Sequence, residues 1–138
     1  MKECYFNDNP LYRKNRRRKL VEFFCYKGFF CYILSLGSHP TAYVISKNCK
    51  VGVYLSHEQL NNIVVHGGIT YESDELFVND EAPPIKADQI IGWDYAHGGD
   101  LTIFDESYLC LIGRIWTLQE IEEECKNVVD QIIAMEAN

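Results

Sequence analysis

The sequence predicts an α+β domain in which a mixed or antiparallel, curved sheet carries a long C-terminal helix packed on one face. Two observations lead to it. Residues 20 to 96 hold a series of short runs rich in Val, Ile, Phe and Tyr, punctuated by Gly, Pro and Asn, as a sheet with tight connections requires. Residues 117 to 135 carry a capping signal followed by apolar residues at helical spacing. A length of 138 residues suits a single core, and no repeat of solenoid period is present.

Taken in order, "LVEFFCY" and "FFCYILSL" read as two strands of a hairpin joined through Lys27-Gly28. "SLGSHPTAY" is a turn, punctuated by Gly37 and Pro40, and "TAYVIS" and "KVGVYL" are further strands. Ser56 followed by Gln59 caps one short helical turn. The β-prone segments "NIVV" and "GITYES" flank the triplet His66-Gly67-Gly68. "ELFVNDEAPPIKADQ" is a loop centred on Pro83-Pro84, and "QIIGWDYA" is a buried strand that ends at His97-Gly98-Gly99-Asp100. Thr117 and Glu120 form a capping box, and the acids of "EIEEE" sit on the positive end of the helix dipole. Behind them Ile121, Cys125, Val128, Val129, Ile132 and Met135 make one apolar stripe, which packs the helix on the sheet.

Charge is unevenly divided. Residues 1 to 50 carry ten Lys/Arg against three Asp/Glu, and residues 51 to 138 carry three against seventeen, within a net charge of −7. The basic excess lies in "RKNRRRK", which reads as a solvated arm over residues 1–20 ahead of one domain at 21–138; a phosphate-attracting patch is the alternative. The run "RRRKLVEFFCYKGFFCYILSLG" mimics an export signal, but Glu22 and Lys27 interrupt it and its apolar part is too short to span a bilayer. Six cysteines without a C-x-x-C pair disfavour a zinc ribbon and read as reduced packing thiols of a cytoplasmic protein.

The chemistry concentrates in "VVHGGITYES" and "IGWDYAHGGD". Glycine permits positive φ and close approach of a second backbone or a ligand. A single His-Gly-Gly is accounted for by a tight turn, but two of them, the second between Asp94 and Asp100, point to a site. Histidine has an ordinary pKa of about 6.5, so His66 and His97 could supply base and acid at neutral pH. Asp94, three residues before His97, would orient that imidazole. Thr70, Tyr71 and the N–H groups of Gly67, Gly68, Gly98 and Gly99 could hold phosphate oxygens. Tyr71, Trp93 and Tyr95 offer flat faces for a base. His39, in the "GSHP" turn, could join them, while His57 has no evident role. His66, Asp94, His97 and Asp100 are also four competent ligands for zinc or manganese, but D-x-x-H-x-x-D at one strand end does not aim every side chain at one point.

"CYILSLGSHP", the two His-Gly-Gly segments and the final "EIEEECKNVVDQI" resemble a widespread family of small, mostly phage-encoded proteins. Its signature is a GHP-like turn, then HGG-[IL]-T-[YF], then G-[WF]-D-x-A-H-x-G-D and an acidic C-terminal helix. The resemblance spans roughly residues 28 to 134; it departs at Ser38, where glycine is usual, and Gly98 falls at a variable position. It implies a phage counter-defence nuclease that destroys the cyclic dinucleotide signals of the bacterial CBASS system without metal or cofactor. A 3′–5′ linked cyclic ribonucleotide carries its own nucleophile, the 2′-hydroxyl. His66 and His97 would form the acid–base pair, Asp94 would orient His97, Thr70 and Tyr71 would hold the phosphate, and Asp100 or His39 would read a base edge or support the loop. Arg114 or the basic arm would offset the net negative charge. The expected partner is a cyclic nucleotide in the cytoplasm of an infected host, with neither duplex nucleic acid nor membrane, and a two-fold symmetric ligand would suit a homodimer. Two rivals use the same features: a sponge that sequesters the nucleotide uncleaved, and an inhibitor that binds a host defence protein through its acidic surface.

Overall fold

A computed structural model of the chain describes residues 9–13, 17–100 and 113–136. Among them β1 (Lys19–Tyr26), β2 (Phe29–Ser35), β3 (Pro40–Asn48), β4 (Val51–Gly52), β5 (Tyr71–Leu76) and β6 (Ile85–Asp94) form one open, curled antiparallel sheet, with α1 (His57–Asn61) and α2 (Leu118–Glu136) outside it. The strand order is β1-β2-β3-β6-β5, with β4 pairing the end of β3. The α+β architecture follows the sequence.

Each hairpin has a local cause. Lys27 and Gly28 both take positive φ (51° and 89°), the pair of left-handed residues that a two-residue turn needs to match strand twist. Tyr26 therefore pairs with Phe29, and the register runs on to Lys19 opposite Ser35, with one irregularity between Leu20 and Glu22. Alternation then makes two apolar faces. Cys31, Ile33, Ala42, Val44, Ile91 and Trp93 point to α2 and meet its stripe of Ile121, Cys125, Val128, Val129 and Ile132. Tyr32, Leu34, Tyr43, Ile45 and Ile90 form a second cluster on the helix-free face.

The two capping boxes form as read. Ser56 and Gln59 exchange hydrogen bonds at the start of α1, and Thr117 and Glu120 do so before α2. Between β4 and α1 the chain is fastened by the buried Gln89 side chain. Its Oε1 accepts from the Leu55 N–H and the Ser46 hydroxyl, and its Nε2 donates to Leu55 O and Glu72 Oε2.

Other boundaries move. The strand expected over "KVGVYL" shrinks to Val51–Gly52, because Gly52 turns with φ +86° and the Leu55 N–H goes to Gln89 instead of a ladder. Segment 62–65 forms no strand: the Val64 N–H and carbonyl are both taken by the Gln131 side chain of α2. The Pro-Pro loop is shorter than expected, since Ile85 and Lys86 already pair with Leu76 and Glu75. Part of the stretch expected as a solvated arm over residues 1–20 packs against the core. Leu11 and Tyr12 are fully buried in the helix-side core, and Asn9 Nδ2 donates to the Trp116 carbonyl. Of the basic run itself, residues 14–16 lie outside the described residues. Among these, no helix is long and apolar enough to cross a membrane.

Gly92 is the position on which the helix-free face turns. It stands in register between Tyr43 and Tyr71, and the two phenol rings meet edge-on over it at 5.1 Å. A Cβ there would lie 2.4 Å from the Tyr43 ring and 2.9 Å from the Ala42 carbonyl oxygen. Gly92→Ala is expected to destabilise the fold by about 1–3 kcal/mol, read as a lower denaturation midpoint with unchanged slope.

Candidate functional site

Three segments converge at one end of the sheet: the turn after α1 that carries His66, the turn after β6 that carries His97 to Asp100, and the approach to α2 that carries Arg114 and Trp116. Two links join the last pair. The Arg114 N–H donates to the Gly99 carbonyl at 2.7 Å, and Asp100 bridges Arg114 in parallel.

Asp100 is the central group. Its side chain is 3% exposed, and its oxygens take three donors: His66 Nε2 at 2.7 Å, Trp116 Nε1 at 2.9 Å and the His97 N–H at 3.0 Å. Burial alone would raise its pKa, but these three donors outweigh burial and hold the carboxyl below its ordinary 3.8. The group is therefore an acceptor-only carboxylate at neutral pH, and His66 offers it an Nε2–H. His66 Nδ1 is the nitrogen left for chemistry. Its ring stacks on Tyr95 at 5.2 Å with planes 5° apart, and Trp116 flanks it at 4.8 Å.

The His97 ring meets the His66 ring edge-on, with centroids 5.5 Å apart. His97 Nε2 lies 3.2 Å from Asp94 Oδ1, close enough for charge attraction. It is buried and lacks a partner in hydrogen-bond alignment, so Asp94 is its close neighbour without a hydrogen bond. The reason for the first glycine is now physical. Gly67 turns with φ +72°, and a Cβ on it would lie 2.0 Å from His97 Nε2. Gly68 and Gly99 take positive φ as well (78° and 94°), while nothing in the structure requires glycine at 98. The Gly98 and Gly99 N–H groups donate to no partner among the described residues.

The two imidazoles and two carboxylates that the sequence singled out are thus neighbours, arranged as an Asp100–His66 pair beside an Asp94–His97 pair. Other expected site residues are elsewhere or otherwise engaged. Trp93 is 1% exposed, with its indole in the helix-side core donating to the Tyr95 hydroxyl, so it presents no face to a base. Tyr95 is fully buried and donates to Glu124; burial first, and that carboxylate second, push its phenol far above the ordinary range. Asp100 is enclosed and supports the turn, and no base edge can reach it. Tyr71 spends its hydroxyl on the Glu75 carbonyl. Thr70 reaches Asp94 Oδ2 at 3.5 Å. His39, joined to the Ser38 hydroxyl at 2.7 Å, lies with Thr70 and Tyr71 around a separate cavity on the helix-free face. Asp94 belongs to both places.

Sequence reasoning missed Trp116 as the second wall of His66, and Glu123 and Glu124 beside it. The two glutamates line a cavity of about 400 Å³ with His66, Val64, Val65 and Asn127. No motif marks Trp116; it is one aromatic ahead of a capping box. Arg114 does not offset the acids as a free cation. It lies 3.7 Å over the Trp116 ring and pairs with Glu120. As for the competing metal reading, no group of three or more His, Cys, Asp or Glu among the described residues is arranged to hold an ion. The described cysteines are free thiols, with Cys31 and Cys125 buried.

Asp100 makes folding sensitive to acid. Its folded pKa lies below the unfolded value, so the stability it contributes is present above about pH 4 and is lost as pH falls through the folded value. Asp100→Asn removes that acid-side dependence and leaves the three donors facing a neutral amide. Its expected cost at pH 7 is about 1–3 kcal/mol, with a flatter stability profile below pH 4 than the parent, measured by denaturant titration at several pH values.

Comparison with protein-family models, curated proteins and solved structures finds no match to this chain. The candidate site is carried by its own geometry.

Proposed function

We propose that the protein binds and cleaves a 3′–5′ phosphodiester of a cyclic nucleotide signal by metal-independent acid–base catalysis, as a phage counter-defence protein acting on CBASS-type cyclic dinucleotides would. The observation that supports the chemistry is the contact of two imidazoles, each set beside its own carboxylate: Asp100 at 2.7 Å from His66 and Asp94 at 3.2 Å from His97. The phage assignment is supported by the motif resemblance alone.

In this mechanism one imidazole takes the proton of the 2′-hydroxyl as that oxygen attacks phosphorus. The other imidazole gives a proton to the departing 5′-oxygen, leaving a 2′,3′-cyclic phosphate and a free 5′-hydroxyl. The Nε2 atoms face carboxylates, so the Nδ1 atoms are the ones that take up and release the transferred protons. The rings touch, so the phosphate lies across their free edges and not between them. Glu123 and Glu124 make the helix side of His66 hostile to a polyanion, and the approach is therefore from the Gly98-Gly99 side, whose N–H groups suit phosphate oxygens.

A second reading, the sponge, is favoured by one specific feature. His97 Nε2 makes no hydrogen bond to Asp94, so no carboxylate fixes that ring's tautomer as Asp100 fixes that of His66. Incubation of the protein with cyclic dinucleotides, with and without EDTA, separates the cases by chromatography of the products. Equal product in both tubes is expected. Ligand recovered intact after denaturation would replace the nuclease with the sponge, and product only in the absence of chelator would restore a metal site. His66→Ala and His97→Ala are each expected to lower cleavage by ~10²-fold or more while binding largely persists. Unchanged turnover in either variant removes that histidine from the chemistry.

A further inference from the structure

The helix-free face carries a cavity that the His66–His97 contact does not use. Its volume is about 230 Å³, and His39, Thr41, Tyr43, Thr70, Tyr71 and Asp94 bound it. Sites for drug-sized ligands run to roughly 300–1,000 Å³, so this one is scaled to a single ring system.

Two polar groups define what such a ring must offer. Thr41 is 4% exposed, and its Oγ1 is buried without a partner; it lies beside the Tyr43 hydroxyl but outside hydrogen-bond geometry. A buried hydroxyl in that state is a standing penalty that a ligand atom would relieve. Asp94 is the second. Its Oδ1 accepts from the Ala96 N–H at 3.1 Å and neighbours His97, whereas its Oδ2 has only Thr70 Oγ1 at 3.5 Å, the limit of a hydrogen bond. That oxygen has acceptor capacity to spare, and a carboxylate can only accept.

A ligand edge facing Asp94 must therefore bring N–H groups. Guanine sets two adjacent donors, N1–H and N2–H, on one edge. Adenine and cytosine place a ring acceptor beside their amine, and uracil flanks its N–H with two carbonyls, so each would aim a lone pair at the carboxylate. We propose that this cavity binds a guanine base, with its ring against Tyr43, its N1–H and N2–H donated to Asp94, and its O6 accepting from the Thr41 hydroxyl. This rests on the nucleotide-signal reading above and names the base. Tyr71 closes the other side through its edge-on contact with Tyr43.

The test titrates GMP, IMP and AMP into the full-length protein by calorimetry. GMP is expected to bind at least ~10-fold more tightly than AMP, with IMP, which lacks the 2-amino group, between them. Thr41→Val and Asp94→Asn should each weaken GMP about 10-fold. Thr41→Val should also keep or raise the melting temperature, because it removes an unpaired buried hydroxyl; a merely structural threonine would leave GMP affinity untouched. The assignment is overturned if AMP binds as well as GMP, if no mononucleotide binds, or if neither variant alters GMP affinity. Cleavage of cyclic dinucleotides without preference for guanine would sink the base assignment and leave the phosphodiesterase standing. Guanine-selective binding by a protein that cleaves nothing would do the reverse.

Discussion

Enclosed by three donors, the Asp100 carboxylate fastens three stretches of chain that are distant in sequence: the turn of His66, the turn of His97 and the approach to α2 through Trp116. A charge at this depth is tolerable because its donors replace the water it has lost. Each donor in turn is fixed by what it gives. His66 is held in one tautomer and pressed flat on Tyr95, and Trp116 is set at the angle that walls the imidazole. Through this one ionised acceptor the turn of His66 is tied directly to the turn of His97.

The neighbouring carboxylate has a different office. Asp94 ends β6, and at a strand end a side chain can be shared by both faces of the sheet. It touches His97 on one side and borders the Tyr43–Tyr71 cavity on the other. Under the proposed function, the phosphate at the imidazoles and the base in the cavity would belong to one ligand and lie on opposite sides of this single residue.

Glycine is used here for space as much as for torsion. Gly67 gives His97 a surface to lie on, and Gly92 gives Tyr43 and Tyr71 room to meet. In both places an aromatic ring occupies the volume that a side chain would take. The opening pattern of paired glycines is thus explained at Gly67 by contact, and at Gly68 and Gly99 by backbone conformation.

Much of this architecture was written locally. The Lys27-Gly28 turn, both capping boxes, the apolar stripe of α2 and the buried run ending at Asp94 depend on residues within a few positions of one another, and such signals survive without tertiary context. The pairing of the two His-Gly-Gly motifs was also legible, because two histidines and two carboxylates beside repeated glycines point to one shared site. What escaped was everything set by distant partners. Trp93 and Tyr95 look like stacking faces in sequence, but the sheet turns them under α2. Leu11 and Tyr12 look like part of a basic arm, yet they fill the core. Segment 62–65 gives its hydrogen bonds to Gln131, a residue 67 positions from Val64. The division is physical: periodicity and caps fix which element forms, whereas burial, the supply of donors around Asp100 and the face on which each ring lies depend on packing between segments that only the folded chain brings together.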